Sequence, residues 1–258
     1  MKLVAMLRVK NEMPVITECL DTLSLLVDEI VIADNGSTDG TLAAYSRYPK
    51  IAALLHTHGY QEGRDKNLLL EAARKRNPDW ILSIDGDEVF EQALTRKRIE
   101  QYMRSRYRRI SFRMCNFWLD HEKYRIDGPY FAYTLQPQRS MWRNDGTGYI
   151  STKQFHVGDI RGISGKTYVS PYRIKHYGYA DKEKIAKKYA FYAAEDRTML
   201  RDYRHLNPDA SAWRIEFREF KNPAAHHAYL LARSYAAWTI LQIRNIGLRG
   251  LRLIGKRP

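Results

Sequence analysis

Apolar positions in the first 90 residues fall into runs of two alternating kinds. Lys2 to Val9 is a short apolar run with the length of a buried strand; after Met13-Pro14, Ile16, Cys19, Leu20, Leu23, Leu26 and Val27 recur at helical spacing. Asp28 to Asp34 is a second β-branched run. It is closed by Asn35-Gly36-Ser37-Thr38-Asp39-Gly40, turn formers that include N-cap candidates for a helix near Thr41. Ile51 to Leu55 reads as a third strand, Arg64 to Arg76 as a helix and Trp80 to Asp85 as a fourth strand. This alternation predicts an α/β fold with a mostly parallel central sheet and helices on both faces. Such sheets bind ligands outside the carboxyl ends of their strands, and the acidic turns at Asp34 and at Asp85-Gly86-Asp87-Glu88 both fall there.

Beyond residue 90 the pattern loosens into a basic helix (Gln92 to Tyr107), a strand (Arg109 to Phe117) and an aromatic, glycine-containing stretch through Gly178. Ile185, Tyr189, Tyr192, Met199 and Tyr203 return to helical spacing, as do Ala228, Leu231, Tyr235 and Trp238, which predicts a helical C-terminal extension. Phe117, Trp118, Tyr124 and Trp142, interleaved with Arg125 and Arg143, suit either a sugar-stacking acceptor cleft or an ordinary second core.

With 258 residues, 44% apolar and 28% charged, the chain suits one large globular domain and excludes a disordered or disulfide-stapled one. Cys19 and Cys115 lack metal-ligand spacing and fit a reducing compartment. The apolar run Leu3 to Leu7 is broken by Arg8 and Lys10, short of a secretion signal or a membrane span, so a cytoplasmic location is expected. The net charge of +14 is unevenly spread: residues 1–90 hold fourteen Asp/Glu against ten Lys/Arg, and the remainder carries +18. The acidic part suits a metal ion; the basic part suits phosphates, an anionic acceptor or an anionic membrane surface.

Asp85, Asp87 and Glu88 place three carboxylates at the end of an apolar strand, able to converge on one divalent cation, with a solvated turn as the plain alternative. As an exposed turn acid, Asp87 would be removable without harm to the fold. At Asp34, the following Gly36 and Gly40 permit close backbone approach and Ser37 and Thr38 supply hydroxyls, which suits a nucleotide cradle or a simple N-cap turn.

Val9-Lys10-Asn11-Glu12, Asp34 to Thr41, Lys66-Asn67 and Trp80 to Glu88 together resemble the ordered signatures of the family 2 glycosyltransferases with the GT-A fold. The likeness is close over residues 1–90 and thinner to about residue 190, where Arg143-Asn144, Phe155-His156 and His176-Tyr177-Gly178-Tyr179 are similar to a bacterial envelope-glycan branch. The resemblance implies inverting transfer from a nucleotide-sugar donor (a UDP-, GDP- or dTDP-sugar), bound through Asn11, Glu12, Asp34, Lys66 and Asp85. Mn²⁺ or Mg²⁺ would be held at Asp85 and Asp87. His176 matches a late family histidine and becomes a further metal ligand or, on its residues alone, a histidine packed among tyrosines. Where the branch has His-Glu, this chain has His156-Val157-Gly158-Asp159, so Asp159 is the first candidate for the general base, ahead of Asp145, Asp127 and Asp120.

The implied layout is a GT-A domain over 1–220, with a nucleotide-sugar and metal half at 1–90 and an acceptor half at 91–220. Residues 221–258 form a basic amphipathic tail. The acceptor would be a glycan or lipid-linked saccharide of a bacterial surface polysaccharide or lipopolysaccharide. Arg244, Arg249, Arg252, Lys256 and Arg257, interleaved with aliphatics, suit peripheral contact with an anionic membrane surface or, equally, a domain-closing or oligomer-forming helix. No nucleic-acid module accompanies the basic charge. A sugar nucleotidyltransferase, which would need a Gly-rich triphosphate loop, and a non-catalytic polyanion binder are the other readings.

Overall fold

The computed structural model describes residues 1–126, 137–155 and 157–195, together with Leu206 and residues 217–219. The first half follows the expected alternation: β1 (Leu3–Val9), α1 (Val15–Leu26), β2 (Glu29–Asp34), the single-turn α2 (Thr41–Ala44), β3 (Ile51–His56), α3 (Glu62–Arg74) and β4 (Trp80–Asp85). Then follow β5 (Glu88–Phe90), α4 (Arg96–Met103), β6 (Arg109–Trp118), β7 (Lys123–Arg125), β8 (Pro137–Arg143), β9 (Thr167–Tyr179), α5 (Lys182–Glu195) and β10 (Phe217–Glu219).

Strands β3, β2, β1 and β4 lie side by side and parallel, as short βα crossovers require. The second half adds antiparallel pairing: β8 runs against both β4 and β6, and β9 lies parallel to β6 and antiparallel to β5. The result is a mixed sheet whose parallel part carries the two acidic turns.

Side-chain alternation explains why helices cover both faces. Leu3, Ala5, Leu7 and Val9 of β1 face the core that α1 closes with Ile16, Cys19, Leu20 and Leu23. Val4 and Met6 point the other way, into a core closed by Leu69, Leu70 and Ala73 of α3. At the start of α3, Gly63 allows a close approach, because a Cβ there would lie 2.5 Å from the Lys153 carbonyl oxygen and 2.6 Å from that of Ser151. Phe117, Tyr124 and Trp142 are fully buried, so this part of the aromatic stretch is core and not a sugar-stacking wall.

The thirteen-residue β9 has no clean apolar alternation, since Ser170, Arg173 and His176 are buried within it. Arg173 is held by Glu91: its backbone N and its Nη2 donate to that carboxylate at 2.5 and 3.0 Å. This pair lies beside the β5–β9 ladder, which sets Glu88 opposite His176. The helical extension expected beyond residue 220, including Ala228 to Trp238, lies outside the described residues, as do Met199 and Tyr203. Among the described residues no helix is long and apolar enough to cross a membrane.

Candidate active site

Strands β1 and β4 end side by side, with Arg8 opposite Asp85 in the register, so the segments that follow them share one edge of the sheet. A cleft of about 640 Å³ opens there, walled on its far side by β8, β9 and α5. Asn11, Glu12, Asp85, Asp87, Asp159 and His176 all line it, although they span most of the described chain.

The acidic turn is neutralised from two sides. Arg139 on β8 pairs with Asp85 and reaches Glu88, with Nε 2.9 Å from Glu88 Oε2 and Nη2 2.7 Å from Oε1. On the other side, Asp87 Oδ2 meets His176 Nε2 at 3.2 Å and Lys188 Nζ at 3.1 Å. Asp87 is buried, and burial alone would raise its pKa, but Lys188 and His176 hold it well below the usual carboxylate range. The exposed turn acid expected from sequence is therefore corrected: the β5–β9 ladder folds the turn inward and makes Asp87 a buried member of a charge network.

His176 Nδ1 lies 2.6 Å from Asn116 Oδ1 while its Nε2 faces Asp87 Oδ2, so Asn116 and Asp87 fix the ring from both sides. Oxygen and imidazole donors of Asp87, Glu88 and His176 lie within 4.8 Å of one another, a donor set that fits Mn²⁺ or Mg²⁺. Asp85, expected among the ligands, is instead directed onto Arg139. Gly178 makes room for this cluster, because a Cβ there would stand 2.5 Å from Asp87 Oδ2 and 2.6 Å from His176 Nε2. Gly178→Ala is expected to leave the β9 backbone in place and lower divalent-ion affinity at least about tenfold, in the range seen for disturbed metal surroundings. Isothermal titration with Mn²⁺ checks this, and unchanged affinity would refute it.

Glu12 lies next to this network, its Oε2 2.9 Å from Lys184 Nζ. Burial and then the nearby Asp87 push its pKa up to about 7, against the pull of Lys188 and Lys184. Asn11 and Glu12 are held in place by the 35–41 turn. Ser37 Oγ accepts from Asn11 N at 2.9 Å, Thr41 Oγ1 from Glu12 N at 3.1 Å, and Asn11 Oδ1 from Thr38 N at 2.7 Å. Asp34 itself is fully buried, accepting from Ser37 N at 2.7 Å and from the Tyr45 hydroxyl at 2.8 Å. The turn thus acts as a brace for the 11–12 segment, and Asp34 does not line the cleft.

Lys66 is also set back, 2.7 Å from Glu62 Oε1 and pointing to the Val157 carbonyl. Asp159 accepts from Ser140 Oγ through Oδ2, while its buried Oδ1 has no hydrogen-bond partner among the described residues. Of its rivals, Asp145 pairs with Arg108 in a turn and Asp120 caps the turn before Lys123, both away from the cleft. Asp127 and His156 lie outside the described residues.

Sequence reading did not find Arg139, Lys184 or Lys188. Arg139 carries no motif, and the lysines are hidden in an ordinary basic helix pattern; their i, i+4 spacing is the one signal that they share a face.

A family model described as glycosyl transferase family 2 matches residues 6–155, more than half of the chain. The chain belongs to this family. Curated relatives include an uncharacterized glycosyltransferase of Rickettsia felis, 25% identical over 202 residues, covering 75% of this chain and 68% of the relative. A Rickettsia conorii counterpart is 23% identical over the same length, with the same shares covered. Among solved structures, S. aureus TarS 1–349 is similar with a TM-score of 0.46 and 17% identity, covering 80% of this chain and 68% of that one. The protein is a family 2 glycosyltransferase, and the nucleotidyltransferase and non-catalytic readings fall away.

Proposed function

We propose that this transferase moves a sugar, with inversion, from a nucleoside-diphosphate donor to a saccharide acceptor in the cleft at the ends of β1 and β4. The observation that carries the reading is the meeting of Asp87, His176, Glu12 and Asp159 in that cleft, with Arg139, Lys184 and Lys188 around them. Asp87 and His176 would hold Mn²⁺ or Mg²⁺, which supplies positive charge for the departing diphosphate. Asn11 and Glu12, fixed by the 35–41 brace, form the floor on which the nucleotide part rests, and Lys66 holds Glu62, another residue lining the cleft. Lys184 and Lys188 add cationic charge on the α5 side, where the diphosphate leaves.

Asp159 is the general base. Ser140 fixes one carboxylate oxygen, and the carboxylate would take the acceptor hydroxyl's proton as the hydroxyl oxygen attacks the sugar from the face opposite the diphosphate. Asp159→Asn is expected to lower turnover by about 10²- to 10⁴-fold with donor binding kept, measured as nucleoside diphosphate release and by titration. Near-normal turnover would remove Asp159 from the mechanism.

Donor class follows from a thermal-shift panel of UDP, GDP, dTDP and CMP, each with and without Mn²⁺. A ligand at about 100 times its Kd adds about 2.7 kcal/mol, a clear shift. A metal-dependent shift with one nucleotide supports the donor site, and no shift with any nucleotide counts against it. A lipid-linked envelope saccharide as acceptor fits the basic residues of the 245–258 tail, which lies outside the described residues. Deleting 245–258 should then abolish binding to anionic liposomes, and undiminished binding would sink the membrane role.

A further inference from the structure

We propose that Lys188 is a movable counter-cation: it competes with the divalent ion for Asp87 and transfers its charge to the donor diphosphate when both are bound. The inference rests on the donor-site reading above and assigns a positioning residue within it.

Three groups converge on one oxygen. Lys188 Nζ stands 3.1 Å from Asp87 Oδ2, the same atom that faces His176 Nε2 at 3.2 Å. A divalent ion held between Asp87 Oδ2 and His176 Nε2 would therefore meet an ammonium on its own ligand, and two such cations on one carboxylate oxygen repel. Arg139 cannot relieve this, because Asp85 and Glu88 both hold it.

Lys188 is free to yield. It is an ammonium on a flexible four-carbon stem, its side chain is 28% exposed, and the Tyr179 ring supports the charge from 4.9 Å. One turn back on the same face, Lys184 reaches Glu12, so α5 is anchored while Lys188 swings. A diphosphate in the cleft offers oxygens to the displaced ammonium. The same side chain thus opposes the metal when it binds alone and favours the metal and diphosphate together. Linkage between sites of this sort typically amounts to about 5- to 150-fold in affinity.

The test is titration of Mn²⁺ alone, then of UDP, GDP and dTDP at saturating Mn²⁺, into wild type, Lys188→Gln, Lys188→Arg and the exposed control Lys182→Ala. Lys188→Gln is expected to bind Mn²⁺ alone about tenfold more tightly, and the nucleotide that binds wild type about tenfold more weakly. Lys188→Arg keeps the charge and should stay near wild type for Mn²⁺ alone; Lys182→Ala should change neither affinity. A purely structural lysine would lower the melting temperature and move both affinities in the same direction, or neither, and either result overturns the inference. Wild-type protein that binds neither Mn²⁺ nor any of the three nucleotides would overturn the donor-site reading and this inference with it. Wild-type binding of both without opposite shifts in Lys188→Gln overturns the inference alone.

Discussion

Asp87→Asn is expected to reduce sugar transfer by about 10²- to 10³-fold, the size of effect that follows loss of one preorganised charge contact to a developing anion. Asn keeps the size and one carbonyl oxygen of Asp87 but removes the negative charge that gathers Lys188 and His176 at the turn. On the proposed reading, a divalent ion would lose its anionic ligand and the departing diphosphate the positive charge held there. The alanine variant is a poorer probe, because Asp87 is buried and its complete removal also destabilises the network. Nucleoside diphosphate release, measured beside a thermal melt, separates the two effects. Full turnover in a folded Asp87→Asn protein would discard the acidic turn as the site of chemistry.

The second large effect concerns stability. Glu91→Ala is expected to cost about 3–5 kcal/mol, the usual result of removing one partner from a buried ion pair. Arg173 and Glu91 are both buried, and the Glu91 carboxylate accepts from Arg173 N, Nε and Nη2. Removing Glu91 takes that carboxylate from a buried guanidinium, while the double variant Glu91→Leu with Arg173→Met, apolar at both positions, should recover most of the loss. Urea denaturation of the three proteins decides this. A single variant within about 0.5 kcal/mol of wild type, the ordinary scatter of surface changes, would refute it. Because the β5–β9 ladder aligns Glu88 with His176, the single variant should also bind Mn²⁺ less well than its remaining folded fraction accounts for.

How far the molecule was legible depended on which interactions govern each part. The parallel half was readable because β1, β2 and β4 are buried on both faces and mostly apolar, and because α1 shows its buried positions at helical spacing. Asp85 and Asp87 were readable because a strand ended in them. The β9 strand was not, since its inward positions include Ser170, Arg173 and His176, whose burial depends on partners far along the chain. Asp34 stands at the strand end the sequence pointed to, and its carboxylate accepts from Ser37 and Tyr45, neighbours that the sequence pattern does not reveal. Arg139 and Lys188 were invisible for the same reason, since charge pairing between remote segments leaves no periodic trace.

The pair between Glu12 and Lys184 joins positions 172 residues apart, and that between Asp87 and Lys188 spans 101. Contacts of such sequence separation close a long loop before they return any energy, so they form late in folding. A chain growing from the ribosome can complete β1 to β4 and the acidic turn while β9 and α5 are still unsynthesised. At that stage the turn has neither His176 nor Lys188. On the proposed reading of the cleft, the ability to spend an activated sugar would therefore arise only when the last described helix docks.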